Sequence, residues 1–379
     1  MINPFQYGGV VGKGSFCDRK RELADITRSI ENGQRLFVYS ERRMGKTSLI
    51  RLALSKLPAR DYLTAYVDLW PTDGEASFAA LTAKRMTQSM ATTADRMLLS
   101  AKKFFGKLRP SITADAAGNP QIAFGTAGTG PTGPELDQVL SAPARIAASR
   151  KCQVVVAFDE FQRILEYPTD RVERTLRSAL QEQQGVSYIF LGSRKHLIQK
   201  MFLDQSRPLY RAGAHYPLGA IDVKDWLPFI RRRFRTSKKG ISADLIRQIC
   251  RMTGGHPFYT QHLCHALWEL TEPGKRVTEE SITSAIELLL DRENYAYTAL
   301  WESFARNQRR FLVGLASEPR GVKVYSGDFL QRYRLRSPSN SQRAVEALLD
   351  RDVIDRDDGS FLITDRFFKM WILATGPRS

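Results

Sequence analysis

The first half of this 379-residue chain predicts an α/β fold built on a parallel β-sheet. Apolar runs at 36–39, 154–158 and 188–192 predict buried strands, because strands covered on both faces are apolar throughout, and 62–70 predicts a further strand. Segments with helical spacing of apolar residues lie between these runs, and strands that alternate with helices form a parallel sheet. After residue 218 the sequence predicts helices, followed by a small C-terminal unit of helices and a hairpin.

The first strand leads directly into the loop sequence SERRMGKTS at 40–48. Gly45, Lys46 and Thr47 match the end of the P-loop pattern, in which a glycine and four residues precede Gly-Lys-Ser/Thr. Ser40 stands at the position of the first glycine. The N–H groups of such a loop and the N-terminus of the next helix bind phosphates. Lys46 would reach the β- and γ-phosphates and the Thr47 hydroxyl would hold Mg²⁺, so we expect a nucleotide-binding protein.

Two carboxylates, Asp159 and Glu160, follow the apolar run at 154–158. In P-loop NTPases an acidic residue at such a strand end coordinates Mg²⁺, directly or through water, and this predicts Asp159 as a metal ligand. Glu160 is then placed to polarise an attacking water as a general base. The alternative is a buried strand followed by two ordinary surface acids, and the upstream P-loop favours the catalytic interpretation.

A small polar residue, Ser193, follows the run at 188–192. On a strand beside the acidic pair, its hydroxyl would contact the γ-phosphate or the attacking water. A turn serine without a catalytic role is an equally good interpretation of this position.

The formal net charge is +17, with 57 Lys and Arg against 40 Asp and Glu. This balance favours polyanionic partners, with nucleic acid first and an anionic membrane surface second; an arginine-rich proteome is the alternative explanation. The four cysteines show no metal-binding or CxxC spacing, which predicts reduced thiols and a cytoplasmic protein. We find no signal peptide and no apolar run near the length of a membrane span.

The first domain is predicted to cover residues 1–217, with an insertion at 110–134. Within the insertion, segments around 112–115 and 121–124 flank Gly118-Asn119, a combination that predicts a β-hairpin. A Gly-, Thr- and Pro-rich stretch follows the hairpin.

An all-α lid is predicted at 218–298, with helices near 222–236, 242–253, 257–270 and 277–296. Between the second and third helices the sequence is GGHP at 254–257, and a proline is well suited to open a helix. His256 would then lie at a helix N-terminus, where an anion is favoured. Contact with a nucleotide and a purely structural role both remain open for this histidine.

The last unit, at 299–379, predicts a winged helix-turn-helix. It contains helices near 308–315, 326–333 and 340–350, and a hairpin at 353–364 with an Asp-Gly turn. In such a domain the third helix enters the major groove of DNA with its N-terminal residues at the base edges. Packing or protein contact is the alternative role. The residues predicted to bind DNA are Asn340, Ser341, Gln342 and Arg343 at base edges, and Arg332, Arg334 and Arg336 at phosphates.

Seven short segments, taken in their order along the chain, resemble the archaeal-type P-loop ATPase family. This family is related to the STAND and origin-recognition-like branches of the AAA+ class. The resemblance covers nearly the whole chain. The matching segments are FCDRKREL (16–23), RMGKTS (43–48), FDEF (158–161), LGS (191–193), PLYR (208–211), GGHP (254–257) and TDRFFKMW (364–371).

This resemblance implies an AAA+-like P-loop NTPase core, an all-α lid and a C-terminal winged helix. It also implies that residues 3–19 wrap the adenine and that Arg211 acts on a γ-phosphate, in cis or from a neighbouring copy; Arg194, beside Ser193, competes for that role. The residues predicted to bind nucleotide are Phe16, Arg19, Ser40, Arg43, Met44, Gly45, Lys46, Thr47, Ser48, His256 and Pro257, and the predicted catalytic residues are Lys46, Glu160, Ser193 and Arg211.

The sequence therefore predicts an ATP- and Mg²⁺-dependent ATPase that acts as a molecular switch. Its nucleotide state would control binding to double-stranded DNA and self-assembly into a homo-oligomer. The alternative is a STAND-type signalling or assembly ATPase that acts through a protein partner, for example as an accessory of a mobile element or defence system.

Overall fold

The computed structural model describes residues 2–9, 17, 19–125, 133–357 and 359–375. The chain divides into two compact units. We call Lys20–Ser40 with Lys46–Leu218 the sheet unit, and Met1–Arg19 with Glu41–Gly45 and Gly219–Ser379 the helical unit.

The sheet unit alternates strands and helices over most of its length. Its elements, in chain order, are α1 (Lys20–Glu31), β1 (Leu36–Tyr39), α2 (Lys46–Lys56), β2 (Tyr62–Asp68), α3 (Glu75–Met90), α4 (Ala94–Phe105), β3 (Pro110–Ala114), β4 (Pro120–Phe124), α5 (Gly133–Arg150), β5 (Gln153–Asp159), α6 (Arg171–Glu182), β6 (Val186–Gly192), α7 (Lys195–Leu203) and β7 (Ala214–Pro217), with 3₁₀ turns at Gly106–Leu108 and Phe161–Glu166.

Five strands form a parallel sheet in the order β2-β5-β6-β1-β7. The inner strands β5 and β6 are buried almost throughout, whereas edge strand β2 alternates between buried and half-buried residues. This confirms the predicted parallel α/β core. Parallel strands end at one edge of a sheet, so Ser40 after β1, Glu160 after β5 and Ser193 after β6 lie at the same edge.

The predicted hairpin is present as the antiparallel pair β3 and β4. Gly118 in the turn has φ +80°, and the Asp115 carboxylate accepts N–H groups of Ala117 and Asn119 at 2.9 Å each. The Gly-rich stretch at 126–132 lies outside the described residues. Between β2 and this hairpin lie two helices, α3 and α4, which are separated where the chain is extended at Ala91, the residue that ends α3.

The helical unit contains the lid helices and the winged helix. Its elements are α8 (Val223–Thr236), α9 (Ala243–Thr253), α10 (Pro257–Leu270), α11 (Glu279–Glu302), α12 (Arg306–Ser317), α13 (Gly327–Arg332), α14 (Pro338–Asp350), β8 (Ile354–Asp357), β9 (Ser360–Ile363) and α15 (Arg366–Thr375).

Capping residues fix where these helices begin and end. The Ser242 side chain accepts the N–H of Leu245 at the start of α9, and Gly254 ends that helix at φ +64°. Ser337 caps α14 with a bond from Asn340 N–H. One continuous apolar cluster runs from the lid into the winged helix, with Trp226 and Phe311 fully buried.

The winged helix is confirmed as α12, α13 and α14 with the β8–β9 hairpin. Helix α15 was not assigned from the residue pattern, although its sequence forms part of the family resemblance. Among the described helices, none is both long enough and apolar enough to cross a membrane.

Candidate nucleotide site

The predicted phosphate-binding loop leaves β1 at Ser40 and enters α2 at Lys46, and both residues are buried. The Lys46 ammonium donates to the Ser40 hydroxyl at 2.9 Å and lies 3.4 Å from the Ser40 carbonyl oxygen. Arg43 and Gly45 carry the positive φ angles of the loop, at 60° and 85°, whereas Ser40 is not in the left-handed region. A serine therefore replaces the first glycine without backbone strain, and its hydroxyl supplies an acceptor for Lys46.

The Asp159 carboxylate is held at both oxygens. Its Oδ2 accepts the Thr47 hydroxyl at 2.6 Å and also accepts the Tyr66 hydroxyl, while Oδ1 accepts the N–H of Glu160 at 2.9 Å. Tyr66 lies on β2, which pairs with β5 and ends opposite Asp159. Burial raises the pKa of Tyr66, and the neighbouring Asp159 carboxylate raises it further. Tyr66 therefore keeps its proton and donates a hydrogen bond to this carboxylate.

Thr47 and Asp159 supply hydroxyl and carboxylate oxygens, the ligand type that Mg²⁺ prefers. In the described part of the chain, no group of three or more His, Cys, Asp or Glu side chains could hold a metal ion. A site with two protein oxygens fits Mg²⁺, since this ion usually takes its remaining ligands from phosphates and water. The residues present therefore fit the implied metal.

The Glu160 carboxylate lies against Ser193 and a residue that the sequence analysis did not single out, Gln162. Glu160 Oε2 accepts the Ser193 hydroxyl at 2.7 Å and the Gln162 amide at 2.5 Å. Glu160 itself adopts a left-handed backbone, with φ 52° and ψ 41°. That conformation costs a non-glycine residue about 1–2 kcal/mol. In this conformation the carboxylate reaches Ser193 at the end of β6.

Arg211 and Arg194, the candidate arginines for the γ-phosphate, have different surroundings. Arg194 Nη1 lies 4.0 Å from a carboxylate oxygen of Glu166. Arg211 is exposed at φ 52°, and its guanidinium lies 5.2 Å from the ring centre of Tyr210. In the part of the chain that the structure describes, Arg211 contacts neither Glu160 nor Ser193.

The tip of the loop, Glu41–Gly45, belongs to the helical unit and is held there by Arg19 and His256. Arg19 donates to the carbonyl oxygens of Met44 and Gly219, each at 3.0 Å. His256 caps α10 by accepting the N–H of Phe258 at Nδ1, so its proton is on Nε2, which donates to the Arg42 carbonyl at 3.0 Å. Both predicted nucleotide contacts thus bind the backbone of the loop itself.

The remaining predicted nucleotide residues fall at the loop and at the start of α10. Met44 and Ser48 are buried, and Pro257 opens α10 at its first turn. The Arg43 guanidinium lies 4.2 Å from the ring centre of Phe258. Phe16 lies outside the described residues.

Two ion pairs join the loop tip to the winged helix. Glu41 Oε2 lies 2.7 Å from Arg366 Nη2, with the two side chains only 14% and 18% exposed. Arg42 Nη2 lies 3.1 Å from Asp352 Oδ2. Arg366 also donates to the Ile363 carbonyl at 2.6 Å, which fixes its guanidinium at the end of the β-hairpin.

The winged helix carries a cluster of arginines, Arg306, Arg310, Arg334 and Arg336. Arg310 Nη1 donates to the Arg334 carbonyl at 2.7 Å. The pKa of Arg310 is lowered by desolvation and by the positive charges of the other three arginines. Arg306, Arg334 and Arg336 are exposed. Arg306 and Arg310 lie on α12 and were not predicted from the sequence.

The other predicted DNA contacts divide between exposed and buried positions. Gln342 and Arg343 are exposed at the start of α14, Asn340 is half-buried, and Arg332 forms an ion pair with Glu318. The prediction for Ser341 is wrong, because this residue is fully buried and cannot reach a base edge. It lies one turn before Val345, on the face of α14 that packs into the core.

A family model described as "ATPase domain predominantly from Archaea" matches residues 16–263, more than half of the chain. The chain belongs to this ATPase family. A second model, described as "Probable winged helix domain", matches residues 295–374. The predicted family and the predicted ATPase activity are confirmed, so the protein is a P-loop ATPase with a C-terminal winged helix.

Solved structures share the fold of this ATPase at low sequence identity. They include the Walker-type ATPase of Pyrococcus abyssi, at 16% identity and TM-score 0.65, covering 95% of this chain and 97% of that one. The Aeropyrum pernix ORC2 protein in ADPNP–ADP complexes has 14% identity and TM-score 0.55, covering 95% of each chain. The Aeropyrum pernix ORC1 protein in complex with DNA has 13% identity and TM-score 0.50, covering 96% and 93%. Comparison with curated proteins gave no match.

Proposed function

We propose that this ATPase is a molecular switch in which the state of the ATP site controls binding of double-stranded DNA by the winged helix. The observation that carries the proposal is the pair of contacts from Glu41 and Arg42 to Arg366 and Asp352. Residues of the phosphate-binding loop and residues of the winged helix contact one another directly. A change in the conformation of the loop on ATP binding would therefore alter its contacts with the winged helix.

ATP binding is assigned to the loop and to the first turn of α2. The backbone N–H groups of Glu41–Gly45 and the helix N-terminus would surround the phosphates. Lys46 would exchange its bond with Ser40 for the β- and γ-phosphates, and Thr47 and Asp159 would hold Mg²⁺. The metal would supply positive charge against the phosphate oxygens.

Hydrolysis is assigned to Glu160, with Ser193 beside it. Glu160 would accept a proton from the attacking water. Ser193, which already donates to the Glu160 carboxylate, would orient that water or contact the γ-phosphate. Arg211 is exposed, which suits an arginine donated to the site of a neighbouring copy in a homo-oligomer.

DNA binding is assigned to the arginine cluster and to the start of α14. Arg306, Arg334 and Arg336 are exposed cations that suit phosphates, while Gln342 and Arg343 stand where a recognition helix meets base edges. The net charge of +17 supports a polyanionic partner. The DNA complex of the structurally similar ORC1 protein supports the same partner.

The proposal is tested by measuring the ATPase rate with and without duplex DNA over a series of salt concentrations. We expect DNA to change the rate, and we expect this effect to fade as salt rises, because phosphate contacts release counterions. A slow rate that is indifferent to DNA, together with no DNA binding at low salt, would contradict the switch and would point to a protein partner instead.

Breaking the link between the loop and the winged helix should uncouple the two sites. In the Glu41→Gln and Arg366→Met variants, we expect the ratio of DNA affinities with and without ATP to move towards one. Coupling free energies are typically about 1–3 kcal/mol, so we expect a wild-type ratio of roughly 5 to 150. Fluorescence anisotropy of labelled duplex DNA measures it.

Arg247→Met is the matched control for these variants. Arg247 pairs with Asp244 on α9, in an exposed ion pair within one helix. This control should keep the wild-type ratio. An unchanged ratio in both Glu41→Gln and Arg366→Met would show that the contact does not carry the coupling.

A further inference from the structure

Gln162 occupies a position that the assigned chemistry does not use. It is the second residue of the 3₁₀ turn Phe161–Glu166, two residues beyond Glu160, and its side chain is only 5% exposed. A buried amide must place its donors and its acceptor on specific partners, since an unsatisfied polar group is costly. The partners of Gln162 therefore indicate what its amide does.

The amide nitrogen of Gln162 is directed at the proposed catalytic pair. It donates to Glu160 Oε2 at 2.5 Å and lies 3.3 Å from the Ser193 hydroxyl oxygen. The nitrogen must face the carboxylate, because a carboxylate accepts hydrogen bonds and the amide oxygen cannot donate one. The orientation of the amide thus follows from its chemistry.

The other end of the amide is confined. Gln162 Oε1 is buried and has no hydrogen-bond partner among the described residues. It lies against the backbone of Gly192, where an added Cβ would come within 2.8 Å of it. The side chain that bonds to Glu160 and Ser193 therefore has little freedom to move. Its own amide oxygen is left without a hydrogen bond in the described part of the chain.

We propose that Gln162 is a positioning residue that holds Glu160 for catalysis. The inference rests on the proposed role of Glu160 as the general base. Within the described part of the chain, the hydrogen bonds to the Glu160 carboxylate all fall on Oε2. Anchored at Oε2 by Gln162 and Ser193, the carboxylate keeps Oε1 to accept the proton of the attacking water.

Gln162→Met tests the positioning role, because methionine has nearly the same length and volume as glutamine but cannot donate. We expect kcat for ATP hydrolysis to fall about 10- to 100-fold, since a misplacement of about 1 Å can cost roughly 10² in rate. The KM for ATP and the affinity for a non-hydrolysable ATP analogue should stay within about twofold of wild type, because Gln162 has no role in holding ATP. The melting temperature should not fall.

Gln162→Glu is the second variant, in case methionine disturbs folding. Glutamate has the shape of glutamine but lacks the amide donor. Two carboxyl groups in contact share one proton instead of both ionising, so Glu160 is less available as a base and kcat should fall at least as far. The matched control is Gln181→Met on the exposed face of α6, which should leave kcat unchanged. A double variant Gln162→Met/Ser193→Ala should lose less than the product of the single losses, because both residues hold the same oxygen.

The result that overturns the inference is distinct from the failure of the catalytic assignment. If Glu160→Gln is inactive while Gln162→Met and Gln162→Glu keep wild-type kcat, Gln162 does not position the base. If both variants weaken nucleotide binding as much as kcat, the role of Gln162 is structural and the inference is again wrong. If Glu160→Gln itself hydrolyses ATP normally, the assignment of Glu160 fails first.

Discussion

The Glu160→Gln variant is expected to lose ATP turnover while it still binds ATP. Glutamine keeps the size of the side chain and can still accept a bond from Ser193, but its amide cannot take a proton from water. General-base catalysis contributes about 10² to 10⁴ in rate, and we expect kcat to fall by that factor. Phosphate release measures kcat, and the dissociation constant of a non-hydrolysable ATP analogue should change by less than about threefold.

Glu182→Gln is the matched control, because Glu182 is an exposed glutamate at the end of α6 in the same unit. It removes the same charge and should leave kcat unchanged. Hydrolysis by Glu160→Gln at the wild-type rate would exclude Glu160 as the base. Loss of analogue binding in step with kcat would instead assign Glu160 a role in binding the nucleotide.

Much of the sheet was predictable because its inner strands leave a strong local signal. The sequences of β5 and β6 are apolar at nearly every position, which is typical of a short strand covered on both faces. Strand β7, at Ala214–Pro217, was missed because four mixed residues ending in proline carry no such pattern. Proline is tolerated there because β7 is an edge strand.

The predicted residues of the candidate site were those close in sequence to a strand end. Asp159 ends β5 and Glu160 follows it, while Lys46 and Thr47 begin the helix that a short loop joins to β1. Parallel strands bring such positions to one edge of the sheet. Tyr66 was missed because it reaches Asp159 only through the pairing of β2 with β5, which no local pattern reveals.

Contacts between residues distant in sequence were also beyond the local patterns. Glu41 and Arg366 are 325 positions apart, and no spacing indicates that they pair. Gln162 did carry a usable signal, since it lies two residues beyond the acidic pair at a strand end, where a polar side chain can reach that pair. The error at Ser341 had the opposite cause, because helical spacing already placed this residue on the buried face of α14 with Val345.

The second large effect is expected at the arginine cluster of the winged helix. In the double variant Arg306→Gln/Arg336→Gln, we expect duplex DNA affinity to fall about 10- to 100-fold near 0.1 M salt. Each lost phosphate contact should also reduce the slope of log affinity against log salt by about one. The loss should be similar for different DNA sequences, because phosphates carry no sequence information.

Arg343→Ala should behave differently, because Arg343 stands at the start of α14, where a recognition helix meets base edges. Its loss should cost about 1–3 kcal/mol on a preferred sequence and little on other sequences, with a salt slope close to wild type. Fluorescence anisotropy with two duplexes of different sequence, over a salt series, separates this result from that of the double variant.

The control for overall charge is Arg21→Gln/Arg60→Gln, which removes two positive charges from the sheet unit at side chains that are 93% and 87% exposed. This variant has the same net charge as Arg306→Gln/Arg336→Gln, so long-range attraction to DNA is reduced equally in the two proteins. Only a DNA site on the winged helix predicts a larger loss of DNA affinity in Arg306→Gln/Arg336→Gln than in the control. Equal losses in both double variants would show that DNA responds to net charge alone, and the arginine cluster would then have no specific role.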